Sequence, residues 1–251
     1  IRDRYKYVNN QKKTKFRTKI KHFYFKLKRD ILNQRLNLKG IKKYLDLRNS
    51  SYINEKTLES YYEENNIRII EGNSTQSSEQ KEYLKKYKVH FKNILEIGFN
   101  AGHSSELFLD TNPNSVVTSI DIGYWYYCKF GIKYLEKKYP NRFQIILKDS
   151  IKALKNFETI SQGIIFDFIY IDGNHSYEYA YNDILNCKKF ANDSTIVVVD
   201  DVVEDDNFRT NSNSGPTQAW KSLVSNGKLI ELDCAHFEEI NRGVAVGKFV
   251  F

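Results

Sequence analysis

Five carboxylates recur at one kind of position in this sequence. Glu96, Asp121, Asp172 and Asp200 fall at or just before the end of short apolar runs, and Asp149 follows another such run. Runs of this kind, rich in Ile, Val and Phe and bounded by turn residues, read as buried strands. Ligands of open α/β sheets bind outside the carboxyl ends of the strands, so acids gathered there describe a polar site. Asp172, Asp200 and Asp201 converge from neighbouring strands. Like charges that close are costly unless protonated or neutralised by a cation. Three carboxylates with water would suit Mg²⁺, a hard cation that takes oxygen ligands and keeps part of its hydration. For the Asp200-Asp201 pair alone, a solvated strand end with helix-capping use is the better explanation, and it is Asp172 that turns the reading towards a metal. His175 lies three positions beyond Asp172, on a loop leading into a helix, and faces the same opening. An imidazole that titrates near neutral pH suits removal of a hydroxyl proton. His103 is a competing base, although its place is the start of a helix.

These residues need a scaffold. Ile94, Leu95 and Ile97 form a strand that breaks at once into a loop holding Gly98 and Gly102, and Ser104-Ser105 then open a helix. Glycines there let the backbone approach a ligand where a Cβ would clash. The spacing departs from the Gly-x-Gly-x-x-Gly dinucleotide pattern, so the loop alone fits a nucleotide-like ligand or a plain tight turn. Asp121, about 20 residues further on, stands where an acid accepts hydrogen bonds from ribose hydroxyls. Asp149-Ser150 could present a carboxylate and a backbone N–H to an adenine edge.

The strands expected are 93–98, 116–121, 143–147, 167–172 and 195–200, with helices over 104–110, 126–139, 150–157 and 176–190 between them. This alternation implies a parallel sheet covered on both faces. A helix over Thr217–Val224 and closing strands at 229–232 and 244–250 predict an antiparallel pair at one edge. Ahead of the sheet, Ser77–Tyr87 reads as a helix with Ser78 as a cap, lying over the ligand site. Residues 46–75 read as a polar, Asn-rich stretch.

The net charge of +8 is unevenly placed. Residues 1–45 hold 16 Lys/Arg against Asp3 and Asp30, a balance of +14, while the other residues hold 23 against 29 acids, a balance of −6. The arm interleaves basic and aromatic residues, and Ile20, Phe23, Tyr24, Leu27, Ile31 and Leu32 recur at helical spacing. It reads either as a contact for RNA or an anionic surface, or as a solvated basic helix docked by its apolar stripe. Residues 1–70 are thus a basic helical extension, and 71–251 the main domain. Three scattered cysteines fit reduced thiols and a cytoplasmic protein, and no apolar run reaches the ~20 residues of a membrane span. The chain opens at Ile1 and holds no Met, which leads one to expect the natural start further upstream.

Together these residues resemble class I S-adenosylmethionine-dependent methyltransferases. Within that family they are most similar to metal-dependent small-molecule O-methyltransferases of the catechol, cephalosporin-biosynthesis and macrolide-sugar types. The resemblance covers roughly residues 70–251. The run from Leu95 to Ser104 is similar to the motif that cradles the methionine part of the cofactor, which implies that Glu96, Gly98, Asn100, Gly102 and Ser104 bind it. Ile120-Asp121 resembles the ribose-binding acid, and Asp149-Ser150 the adenine contact. The segment Tyr170 to Tyr177 is the most specific match. It implies that Asp172 binds the metal, that His175 is the base, and that Asp200 and Asp201 complete the metal set. Gly215 to Trp220 is similar to a late loop-to-helix element near the substrate.

The fold implied is α/β: a Rossmann-like, doubly wound, seven-stranded sheet, mostly parallel with its last strand antiparallel. The function implied is S-adenosylmethionine-dependent, Mg²⁺-assisted methyl transfer to a hydroxyl of a small molecule or sugar. Catechol enzymes carry a lysine where this chain has His175, as macrolide-sugar enzymes do, which inclines the acceptor towards sugar or alkyl hydroxyls. The rival reading is an RNA-binding or RNA-modifying protein on the same fold, using the basic arm. A homo-oligomer is compatible with either.

Overall fold

The computed structural model describes residues 57–67, 70, 72–73, 77–88, 91–155 and 163–251, which lie in one compact unit, Tyr52–Phe251. The basic arm and the helix expected in it lie outside the described residues. In chain order the elements are α1 (Leu58–Glu64), α2 (Ser78–Lys88), β1 (Asn93–Ile97), α3 (His103–Thr111), β2 (Val116–Asp121), α4 (Cys128–Lys138) and β3 (Phe143–Leu147). Then follow α5 (Ser150–Lys155), β4 (Phe168–Ile171), α6 (Tyr177–Cys187), β5 (Ile196–Asp200), α7 (Ser214–Ser225), β6 (Leu229–Phe237) and β7 (Arg242–Phe249). The sheet order is β3-β2-β1-β4-β5-β7-β6, with β7 antiparallel to both of its neighbours and the first five strands parallel. The seven-stranded α/β architecture expected from the sequence is therefore present.

Side chains alternate across each strand, and the alternation sorts the core into two layers. Leu95, Ile97, Ile169, Ile171, Val197 and Val199 pack with Ala153, Ala180, Ile184 and Trp220 from α5, α6 and α7. The opposite parity places Phe168 and Tyr170 edge-on against Phe108 of α3. Glu96 and Asp200 share this second parity, which decides their surroundings below.

Several elements differ from expectation. α1 lies within the Asn-rich stretch: Thr57 caps it by accepting from the Ser60 N–H, and Leu58, Tyr61 and Tyr62 bury one face. The Tyr62 hydroxyl donates to the Ala101 carbonyl at 2.7 Å, which ties α1 to the loop after β1. Ser77, not Ser78, caps α2, its hydroxyl accepting from the Gln80 N–H at 3.4 Å. α7 begins earlier than Thr217, because Pro216 falls in the first turn, where its missing N–H costs no intrahelical bond. β6 runs on to Phe237 through a bulge between Glu231 and Asp233. The polar residues beyond that bulge hid its second half. No helix among the described residues is long and apolar enough to cross a membrane.

Candidate active site

A cleft of about 490 Å³ opens at the carboxyl ends of the parallel strands, within the range of small-molecule sites. Sheet order divides it at β1 and β4, where the winding direction reverses. One half rises from β2 and β3, the other from β4, β5 and the start of β7.

The β2–β3 half begins with the glycine loop. Gly98 has φ +97°, and a Cβ on it would sit 1.9 Å from the Asp172 carbonyl oxygen. The Gly98 N–H donates to the Ile120 carbonyl and the Asp172 N–H to that of Ile97, each at 2.8 Å. Asn100 is also left-handed, at φ +50°. Its N–H donates to Asp121 at 2.9 Å, and the Gly123 N–H donates to the other oxygen of that carboxylate at 2.6 Å. Two backbone donors thus aim Asp121 at the cleft, which it lines with Gly98, Asn100, Lys148, Asp149 and Ser150. Asp149 accepts from the Tyr179 hydroxyl of α6 at 2.8 Å. Burial alone would raise the Asp149 carboxyl, but the Tyr179 hydroxyl and backbone N–H groups hold it below its ordinary value.

Glu96, Gly102 and Ser104 do not reach the cleft. Glu96 is fully buried behind the loop and accepts from the hydroxyls of Ser104, Ser105 and Ser119, each at 2.5 Å. Its parity turns it onto the α3 face, so it braces the loop instead of touching a ligand. Gly102 caps α3, and a Cβ there would come within 2.7 Å of the Phe99 ring. His103 is buried beside Glu59, 3.0 Å from its carboxylate, and is no part of the cleft. Nor does any residue of α2 line it. Burial drives the Glu96 carboxyl up to about 7 despite its three hydroxyl donors. A carboxyl raised on folding favours the native state while protonated, so its contribution is full below pH 4.5 and is lost as pH rises to about 7. Over that window wild type should lose roughly 3 kcal/mol that Glu96→Gln does not lose. Melting temperatures of the two proteins followed from pH 4.5 to 7.5 should therefore converge or cross; parallel curves would refute the buried ionisation.

The second half of the cleft gathers Asp172, His175 and Asp201, whose ligand atoms all lie within 4.8 Å of one another. His175 Nε2 is 3.3 Å from Asp201 Oδ2 and 3.7 Å from Asp172 Oδ1, and its side chain is 37% exposed. The Asp172 carboxylate is the largest influence on this imidazole; with Asp201 it raises the basicity against the opposing effect of burial. The loop is held from below by α7, where a Cβ on Gly215 would meet the His175 carbonyl oxygen at 2.2 Å. Asp201 has φ +58°, which turns its side chain out of the strand alternation. It is buried, and its Oδ2 accepts no hydrogen bond. Burial first, and then Asp172, raise its carboxyl.

Asp200 departs from its expected place. Consecutive strand residues face opposite ways, and Asp200 points to the α2 side. There it accepts from the Gln80 amide at 2.9 Å and the Tyr170 hydroxyl at 3.1 Å. It is therefore not brought to the cluster with Asp172 and Asp201. A residue that sequence reasoning passed over, Arg242, lines this half of the cleft instead.

A family model described as "Methyltransferase domain" matches residues 95–202, the span from β1 to just past β5. Over that span the chain is similar to methyltransferase domains. No curated protein sequence matches this chain. In fold it is similar to a candidate caffeoyl-CoA O-methyltransferase from Staphylococcus aureus, at 20% identity and TM-score 0.56 over 84% of this chain and 100% of that one. It is also similar to TomG from Streptomyces achromogenes, an O-methyltransferase involved in tomaymycin synthesis and solved with SAM. That match has 14% identity and TM-score 0.58 over 87% of this chain and 98% of TomG. An O-methyltransferase from Bacillus cereus in complex with SAH matches at 16% identity and TM-score 0.58, over 82% of this chain and 97% of that one.

Proposed function

We propose that this protein is a methyltransferase that transfers the methyl group of S-adenosylmethionine to a hydroxyl oxygen of a small molecule or sugar, with His175 taking the hydroxyl proton. The observation that carries this reading is the placement of His175: partly exposed, raised in basicity, and facing the half of the cleft away from Asp121. The oxygen forms a bond to the methyl carbon as the carbon–sulfur bond breaks. The sulfonium becomes a neutral thioether, and the proton passes to Nε2. The described O-methyltransferases similar in fold support oxygen as the acceptor atom.

The residues present fit the cofactor. Gly98 leaves a cradle that any Cβ would fill, and Asp121 turns a fixed carboxylate to where ribose hydroxyls would donate. Asp149 and Ser150 would meet the adenine. The residues also fit a divalent cation, because Asp201 Oδ2 is a buried acceptor without a donor and aims at the same space as Asp172. Asp172 and Asp201 would hold Mg²⁺ there, and Asp200 would stand behind them as a support. When bound, the cation would acidify and orient the acceptor hydroxyl. The RNA reading gains nothing from the described residues, since its arm lies outside them and the cleft is lined by Asp121, Asp149 and Asp172.

Incubation with methyl-labelled S-adenosylmethionine, Mg²⁺ and a panel of alkyl and phenolic hydroxyls should yield SAH and an O-methyl product. Transfer only to nitrogen or carbon acceptors would overturn the oxygen assignment. In calorimetric titrations, Asp121→Ala should weaken SAH roughly 10- to 100-fold, as expected for losing hydrogen bonds to a charged group. An unchanged affinity would remove Asp121 from the cofactor site.

A further inference from the structure

Arg242 has no part in the transfer chemistry above, yet its position is tightly fixed. It opens β7, and because β7 runs antiparallel to β5, this end lies beside the carboxyl ends of the parallel strands. Asn241 turns the chain at φ +49°. Next to Arg242, a Cβ on Gly243 would stand 2.0 Å from the Val202 carbonyl oxygen, and the Val202 N–H donates to Gly243 at 3.0 Å. The backbone that carries Arg242 is thereby pinned against the chain that carries Asp201.

The guanidinium itself is under-used. Its nearest carboxylates are Asp200 Oδ2, from NH1, and Asp201 Oδ1, from Nε, both at 3.8 Å. That is beyond hydrogen-bond range. A guanidinium offers five N–H donors in a planar fork matched to carboxylate and phosphate oxygens. Asp200 is already satisfied by Gln80 and Tyr170, and Asp201 Oδ2 faces His175. Arg242, 28% exposed in its side chain, presents the remaining donors to the cleft beside Asp172 and His175. The cofactor cradle at β1 is three strands away, roughly 14 Å at about 4.8 Å per strand, which puts Arg242 on the acceptor side.

We propose that Arg242 is a specificity-determining residue, selecting an acceptor that carries a carboxylate or phosphate near the hydroxyl to be methylated. This rests on the methyl-transfer reading above. Within that reading it names the acceptor as an anionic hydroxyl compound, in place of a neutral sugar or phenol.

The test uses the full chain, saturated with SAH and Mg²⁺, and calorimetric titration of two matched pairs. One pair is 3,4-dihydroxybenzoate against 3,4-dihydroxytoluene; the other is glucose 6-phosphate against glucose. In at least one pair the anion should bind about tenfold or more tightly than its neutral partner, and the pair that shows this identifies the anion as carboxylate or phosphate. Arg242→Gln should erase the preference, and Arg242→Lys, which keeps the charge but not the fork, should reduce it. Equal affinities in both pairs, binding of no member of either pair, or a preference undiminished in the variants would each overturn the proposal. If Arg242→Gln does not fold, the reduction in Arg242→Lys decides. Parallel titrations compare SAH with 5′-methylthioadenosine, which lacks the amino acid carboxylate. Should Arg242→Gln weaken SAH alone, the guanidinium belongs to the cofactor's carboxylate and the proposal falls. Failure of the wild-type protein to bind SAH at all overturns the methyltransferase reading beneath it.

Discussion

Replacing His175 by alanine should lower kcat by roughly 10²- to 10⁴-fold, the usual range for loss of a positioned base. SAH affinity should change little, because His175 stands in the half of the cleft opposite Asp121 and Asp149. The substitution is well suited to separating chemistry from structure. The backbone around it is held independently: Ser176 caps α6 by accepting from the Tyr179 N–H, and Gly215 of α7 packs against the His175 carbonyl. A folded, cofactor-binding, slow variant is therefore expected. Single-turnover rates with saturating acceptor would read the chemical step directly, and a near-normal rate would remove His175 from that role.

Dialysis against EDTA should abolish turnover while SAH binding survives, with activity returning on addition of Mg²⁺. The physical reason lies in the charges left behind. Asp172 and Asp201 both approach His175 Nε2, at 3.7 and 3.3 Å, and both Asp200 and Asp201 are buried. Without a cation, Arg242 and a protonated His175 supply the positive charge opposite them, and a protonated His175 cannot accept the hydroxyl proton. Cofactor binding should be spared because Asp121 takes its geometry from Asn100 and Gly123, neither of which touches the acid cluster. Full turnover in EDTA would sink the metal assignment and leave the imidazole working between two carboxylates alone.

Much of this site was legible in the sequence because strand ends are legible. Short apolar runs announce buried strands, and an acid closing each run has no hydrophobic reason to be there. Asp121, Asp149, Asp172, His175 and Asp201 line or adjoin one cleft for that reason. What the pattern could not resolve was facing. Glu96 and Asp200 look like their neighbours in sequence, yet strand parity turns both towards α2 and α3, where serines, Gln80 and Tyr170 satisfy them. Parity alone does not separate these braces from the cleft, because Asp121 and Asp172 share it; what sets them apart is the hydroxyl and amide partners that other elements bring to them. Arg242 was missed for a topological reason: only an antiparallel last strand brings its first residue to the end of the sheet where the others finish. α1 was obscured by its surroundings, since one short amphipathic helix capped by Thr57 carries little signal within an Asn-rich stretch.

The contact between Gly98 and the Asp172 carbonyl bears on how such an enzyme can change. The Gly98 loop and the Asp172 loop meet through main chain, with no side chain between them. Under the proposed function, the separation of methyl donor and acceptor oxygen is consequently a property of the backbone. Substitutions lining the acceptor half can then redraw the range of molecules accepted while the transfer distance stays as it was.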